Sequence, residues 1–65
     1  MFNPNKLKAE MLIKGETCDT LAKALNINKS TLSRKMNNKS EWTLSEIQVF
    51  CELFGAEKTT EIFLL

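Results

Sequence analysis

The chain has 65 residues, 43% of them hydrophobic, and a net charge of +1. So short a chain is expected to form one domain, spanning residues 1–65, and it has little room for an enclosed substrate pocket. Histidine is absent, which removes the commonest general base near neutral pH and argues against an enzyme.

Cysteine usage and hydropathy narrow the class of protein further. Cys18 and Cys51 are far apart and form no CxxC motif, so neither a disulfide framework nor a zinc site is expected. Free thiols fit a reducing, cytoplasmic setting. No apolar run approaches the ~20 residues that span a bilayer. We therefore expect no membrane partner, metal, cofactor or small-molecule ligand.

The first helix is predicted from Met1 to Lys14. Asn3 is a favourable N-cap, and Pro4 suits the first helical position, where its missing N–H has no consequence. Gly15 supplies a left-handed residue at which the helix ends. This helix is interpreted as scaffold, and its inward face is expected to consist of Leu7, Met11 and Leu12.

Residues 17–38, TCDTLAKALNINKSTLSRKMNN, contain two short amphipathic segments separated by a polar break. Leu21 and Leu25 are four positions apart in the first segment, and so lie on one side of a helix. Leu32 and Met36 repeat this spacing in the second segment. The pattern predicts two helices joined by a short turn, the unit that places its second helix in a DNA groove.

Charge is segregated along the chain. Residues 1–19 have a net charge of zero, residues 20–40 carry five cations and no acid, and residues 41–65 have a net charge of −4. A local basic patch is what phosphate binding requires. The alternative is a solvated surface whose cations serve only solubility. The five cations are Lys23, Lys29, Arg34, Lys35 and Lys39.

The third helix is predicted from Lys29 to Met36 or Asn37, with Asn28 as its N-cap. If Leu32 and Met36 face the core, the other side carries hydroxyl and amide groups and one guanidinium. Arginine can pair with both acceptors of guanine, asparagine with the adenine edge, and serine or threonine with a base or a phosphate. The alternative is an ordinary polar helix surface. The outward side chains are Ser30, Arg34 and Asn37, with Thr31 and Ser33 on the flanks.

Thr43 and Glu46 form a T-x-x-E capping box that predicts the start of a fourth helix, which ends at Gly55. Trp42 precedes the box and is interpreted as one half of a hydrophobic staple with Ile47; stacking on a base is the alternative. The predicted buried face consists of Leu44, Ile47, Phe50, Cys51 and Phe54.

The last ten residues, 56–65, end in Ile-Phe-Leu-Leu. This is more apolar surface than a short terminal helix can bury against its own domain, so we expect a partner, a second copy of the chain, to cover part of it. Packing in the chain's own core is the alternative. The predicted interface residues are Ile62, Phe63, Leu64 and Leu65.

The order of apolar, small, turn and polar positions in LAKALNINKSTLSRKMNNKSEWTLSEI, residues 21–47, resembles the lambda-repressor-like, Cro/repressor family of phage and bacterial regulators. With the flanking helices, the resemblance covers nearly the whole chain. Asn26 stands where relatives often have glycine in the turn, and asparagine tolerates the left-handed conformation. Cys18 stands where they often have glutamine.

The resemblance implies an all-α fold, a compact bundle of four to five short helices with a central helix-turn-helix. It also implies a sequence-specific transcriptional regulator of the phage or prophage repressor type, which binds a double-stranded DNA operator as a homodimer. The third helices of two copies would enter successive major grooves ~34 Å apart. Phosphate contacts are expected from Thr17, Cys18, Lys35 and Lys39, base contacts from Lys29, Ser30, Thr31, Ser33 and Arg34, and rim contacts from Asn28 and Asn37.

A second class of function is a protein-interaction module on the same fold, such as an antirepressor or an adaptor that binds another regulator. The near-neutral total charge and the acidic C-terminal part of the chain favour this alternative. Retention on heparin or bulk DNA that falls steeply with salt is expected only of the DNA-binding class.

Overall fold

The computed structural model describes residues 2–64, which fold into five α-helices without a β-strand. This confirms the predicted all-α bundle. None of the helices in this part of the chain is long and apolar enough to cross a membrane. The helices are α1 (Pro4–Lys14), α2 (Cys18–Leu25), α3 (Lys29–Met36), α4 (Leu44–Phe54) and α5 (Ala56–Phe63).

Side-chain caps start three helices at the cap residues that the sequence predicts, and α1 begins at Pro4, after its cap, although the predicted range extends to Met1. The carboxamide oxygen of Asn3 accepts two backbone N–H groups at the start of α1. The hydroxyl of Thr17 accepts the amide of Thr20 at the start of α2, and Thr43 caps α4 reciprocally with Glu46. Such caps satisfy donors that the first turn of a helix otherwise leaves unpaired.

Left-handed residues turn the chain after the first three helices. The φ angle is 72° at Gly15, 60° at Asn26 and 61° at Asn38. Because asparagine adopts this conformation more readily than most L-residues, the turn of the helix-turn-helix forms without a glycine. The amide of Ile27 then donates to the carbonyl of Ala22 at 3.0 Å and closes the end of α2.

All five helices contribute to one hydrophobic core. Each supplies an apolar side chain that is at most 1% exposed: Leu7, Leu21, Leu32, Phe50 and Ile62. The predicted pairs at four-residue spacing in α2 and α3 therefore face inward, which fixes the opposite side of each helix toward solvent.

Trp42 belongs to an aromatic cluster at one side of this core. Its ring centroid lies 5.1 Å from those of Phe2 and Phe50 and 5.6 Å from that of Phe63. Edge-to-face and tilted contacts at these distances are favourable. The packing supports the structural interpretation of Trp42 over base stacking.

Three residues predicted to face inward are exposed instead. Leu12 is 83% exposed and Leu44 73% exposed, and Cys51 is also exposed. Leu12 follows Met11 by one residue and Cys51 follows Phe50 by one residue, each a rotation of about 100° away from the core. Leu44 is the first residue of α4 and does not lie on the helix side that carries the buried Phe50 and Phe54.

Most of the apolar C-terminal segment packs in the chain's own core, which corrects the expectation that Ile62 and Phe63 form a partner surface. Ile62 is 0% exposed and Phe63 5% exposed. The single-residue connection at Gly55 turns α5 back against α4 and α1, so packing within the chain covers both side chains. Leu64 remains 57% exposed, and Leu65 lies outside the described residues.

Candidate nucleic-acid interface

The outer face of α3 is the surface formed by Ser30, Ser33, Arg34 and Asn37. All four side chains are exposed; the spacing predicts Ser30, Arg34 and Asn37 on this side and Ser33 on its flank. Burial of Leu32 and Met36 on the other side of the helix holds this orientation.

The side chains of Asn37 and Ser33 on this face are already engaged with each other. The Asn37 carboxamide donates to the backbone carbonyl of Ser33 at 2.8 Å. This bond holds the asparagine along the end of α3, and its carbonyl oxygen has no partner among the described residues. Thr31 is half-buried on the flank, and the side chain of the N-cap residue Asn28 makes no capping hydrogen bond.

Arg34 and Lys39 are the exposed cations closest to the end of α3. The amide of Lys39 donates to the carbonyl of Arg34 at 2.8 Å, which brings the start of the loop back onto the last turn of the helix. Within residues 2–64, the ion pairs involve neither side chain. Both are therefore available to an external anion.

Lys29 begins α3 and is exposed, but it has a partner in α2. Its ammonium lies 3.1 Å from a carboxylate oxygen of Asp19, and the two side chains are 64% and 68% exposed. A pair this exposed is weak, so a phosphate or a base edge can displace the carboxylate. Asp19 belongs to α2 of the helix-turn-helix but lies just outside the acid-free segment 20–40.

Lys35 is the one predicted phosphate contact that the structure places inside the molecule. It is 8% exposed, and its ammonium donates to a carboxylate oxygen of Glu46 at 3.0 Å and to the carbonyl of Glu41 at 2.8 Å. The ring of Trp42 lies 5.7 Å away. This corrects the expectation for Lys35, because a cation enclosed in this way does not reach a phosphate.

A sequence signal for this burial exists. Lys35 follows Leu32 by three positions, and residues three apart lie on neighbouring parts of the same helix side. The carboxylate of Glu46 is held in the capping box, where the amide of Thr43 donates to it at 2.8 Å. Burial raises the pKa of Glu46, but the bonds from the Thr43 amide and Lys35 outweigh that effect and lower it below its ordinary value.

The start of α2 brings Thr17 and Cys18 to the same side of the molecule as α3. Both residues are exposed. One surface depression is lined by residues of α1, α2 and α3, and the predicted contacts that meet there are Cys18, Lys29, Ser33 and Asn37. Lys8 of α1 lines it as well, although no pattern in the sequence connects that lysine with the helix-turn-helix.

The predicted contacts thus divide into three groups. Most lie on α3 or around the depression beside it, Lys39 lies in the loop that follows α3, and Lys35 is removed to the interior. Lys35 forms a buried ion pair with Glu46, and Lys29 forms an exposed ion pair with Asp19. The exposed positive charge of the helix-turn-helix therefore rests mainly on Lys23, Arg34 and Lys39.

Comparison with known proteins agrees with this geometry. A family model described as a Cro/C1-type HTH DNA-binding domain matches residues 6–59, from the first turn of α1 into α5. No curated protein and no solved structure matches the chain. The family resemblance read from residues 21–47 is confirmed by this match. The chain belongs to the family of Cro/C1-type helix-turn-helix DNA-binding domains.

Proposed function

We propose that the chain binds a double-stranded DNA operator in a sequence-specific manner, as a regulator of the phage or prophage repressor type, with α3 in the major groove. The observation that carries this proposal is the exposed, acid-free outer face of α3, which holds Arg34 outward while Leu32 and Met36 are buried. An α-helix fits the ~12 Å width of the major groove. Short side chains on that face let its backbone approach the base edges.

Base and backbone contacts are assigned by reach and charge. The fork of Arg34 suits a guanine, and the hydroxyl groups beside it suit either a base or a phosphate. Lys39 and the start of α2 are placed at the phosphates, where a cation and backbone N–H groups bind without regard to sequence. The proposed base contacts are Lys29, Ser30, Thr31, Ser33 and Arg34, with Asn28 and Asn37 at the rim and Thr17, Cys18 and Lys39 at phosphates.

A homodimer is proposed as the binding species. The folded chain measures 26 × 24 × 20 Å, which is shorter than the ~34 Å between successive major grooves on one side of a duplex. One copy therefore reads one groove, and two copies are needed to read two half-sites. Of the residues predicted for the interface, Leu64 is the exposed one within the described part of the chain.

The test of DNA recognition is selection of bound sites from random duplex DNA, followed by titration of the selected duplex. Arg34→Ala should weaken binding to that duplex by ~1–3 kcal/mol and relax the preference at one base pair. Lys58→Ala is the matched control, because Lys58 is a partly exposed cation on α5, outside the proposed contact surface. If Arg34→Ala preserved both affinity and preference, the groove assignment would be wrong.

The dimer is tested by sedimentation of two charge-introducing variants. Leu64→Glu should shift the mass toward the monomer, because it places a charge at the proposed interface. Leu12→Glu should leave the mass unchanged, since Leu12 is 83% exposed but lies on α1. The opposite result would move the interface to α1, and a monomeric wild-type chain on the selected duplex would end the dimer proposal.

A protein-interaction module remains the second candidate, and one observation favours it. Leu12 and Ile13 are adjacent on α1 and are 83% and 73% exposed, which suits a surface that docks on another protein. Heparin chromatography separates the candidates: strong retention that falls steeply with salt supports DNA binding. Retention that is absent at low salt would favour the interaction module.

A further inference from the structure

Lys35 is enclosed at the C-terminal turn of α3 by groups from outside that helix. Its ammonium donates to Glu46 at 3.0 Å and to the carbonyl of Glu41 at 2.8 Å, and the Trp42 ring flanks it at 5.7 Å. The side chains of Lys35 and Glu46 are each 9% exposed. Water therefore screens this ion pair little, and its geometry is held from three directions.

One carboxylate oxygen joins α3 to the start of α4. Oε1 of Glu46 accepts both the ammonium of Lys35 at 3.0 Å and the amide of Thr43 at 2.8 Å. The hydroxyl of Thr43 in turn accepts the amide of Glu46 at 3.2 Å. The capping box is thus hydrogen-bonded within itself and linked to α3, so movement of Lys35 would disturb the start of α4.

Leu32 and Met36 anchor α3 in the core, and the Lys35–Glu46 link adds a connection from its last turn to α4. The backbone of α3 runs close to that of α2 and approaches the remaining helices less closely. The turn that holds Lys35 also carries the neighbouring contacts: the amide of Asn38 donates to the carbonyl of Lys35 at 3.1 Å, and that of Lys39 to Arg34 at 2.8 Å. Tilting this turn would move both Arg34 and Lys39.

We propose that Lys35 is a positioning residue for DNA recognition: through Glu46 it sets the angle at which α3 presents Arg34 and the loop presents Lys39, without touching DNA itself. This inference rests on the proposed function, since it assigns a role to Lys35 in that same surface. A buried ion pair is a weak contributor to net stability, and an apolar replacement of both partners is often neutral. Its geometric role is therefore separable from stability.

The experiment compares Lys35→Met and the double variant Lys35→Met/Glu46→Gln with the wild-type chain on the selected duplex and on bulk DNA. The double variant removes the cation without leaving a buried charge unpaired. Both should lose at least about tenfold in affinity for the selected duplex, as when one base contact is lost. Affinity for bulk DNA should change by less than about twofold, and the salt dependence should be unchanged, because no phosphate contact disappears.

Lys39→Ala is the matched control, since it removes an exposed lysine that is proposed to contact a phosphate. It should weaken both DNAs alike and reduce the slope of log affinity against log salt by about 0.9. If Lys35→Met reduced that slope equally, Lys35 would be a phosphate contact and the proposal would be overturned. Unchanged affinity and base preference in the folded double variant would overturn it as well.

Two further measurements keep the outcome decisive. Lys35→Arg should restore part of the selectivity, because it returns a cation to Glu46. In the wild-type chain, the NMR signal of the Lys35 ammonium should remain protected from exchange when the selected duplex is added, whereas that of Lys39 shifts; a DNA-dependent shift confined to Lys35 would contradict the inference. Failure of the proposed function is distinct, because the wild-type chain would then bind no duplex selectively.

Discussion

The ammonium of Lys29 lies 3.1 Å from a carboxylate oxygen of Asp19, which ties the first residue of α3 to the first turn of α2. The pair sits on the surface proposed to meet DNA, so the carboxylate faces the same phosphates as the neighbouring cations. Asp19 therefore both occupies Lys29 and repels the ligand. Relief of these two effects should strengthen binding.

Asp19→Asn should raise affinity for all duplexes at low salt, by a few-fold, since exposed pairs contribute ~0.2–1 kcal/mol. The gain should shrink as salt increases and screens the charges. Fluorescence anisotropy at two salt concentrations measures it. The control is Glu57→Gln, another first-turn acid, on α5, which should change affinity little. A loss of affinity in Asp19→Asn would indicate that Asp19 orients Lys29 for a contact.

The stability of the fold should decrease in acid through Glu46. The Thr43 amide and Lys35 lower its pKa in the folded chain from the ordinary value of 4.5, despite the opposing effect of burial. Protonation therefore favours the unfolded chain, so the stabilisation is complete above pH 4.5 and is lost as the pH falls through the lowered folded pKa. Urea unfolding between pH 7 and pH 3 measures this loss.

Glu46→Gln is the reference for that experiment. At pH 7 it should be less stable by ~1–3 kcal/mol, because the buried ammonium of Lys35 loses its negatively charged partner, and its stability should fall less in acid. Some decline should remain, since Lys6 also lowers the pKa of Glu61. Parallel acid profiles for the two proteins would show that the Glu46 carboxylate does not control the transition.

The turn between α2 and α3 gives a stability prediction that involves no side-chain packing. Asn26 is exposed and has a φ of 60°, so Asn26→Val should lower the free energy of unfolding by ~1–2 kcal/mol. Asn26→Gly should leave it unchanged or raise it. Thermal unfolding with Asn5→Val as the control, at an exposed position of α1, separates left-handed strain from the general effect of valine. Equal losses at both positions would remove strain as the cause.

Local signals predicted the helix boundaries well because caps act within a few residues. Asn3, Thr17 and Thr43 each bond to backbone groups two or three positions away, so their roles depend little on the rest of the fold. The same holds for Asn26, whose left-handed conformation is a property of one residue and its side chain. The outer face of α3 was also predictable, since two buried residues at four-residue spacing define it.

Long-range partners decided what the sequence did not predict. Lys35 meets a carboxylate eleven positions away, and only the path of the loop through Glu41 and Trp42 brings that carboxylate to α3. Composition alone counted Lys35 with the surface cations. The sequence also does not show where Ile62 and Phe63 are buried, because a chain's own core and an interface with a second copy require the same apolar side chains.

The C-terminal residues provide the last prediction, which separates these two kinds of burial. Ile62 is 0% exposed in the folded chain, so Ile62→Ala should lower the free energy of unfolding by ~2–5 kcal/mol, the cost of an internal cavity. Leu64 is 57% exposed, so Leu64→Ala should change it by no more than ~0.5 kcal/mol. Urea unfolding at a concentration where sedimentation gives a monomer measures both. If Ile62→Ala lowered the free energy of unfolding at high protein concentration but not for the monomer, Ile62 would pack against a second copy rather than in the core.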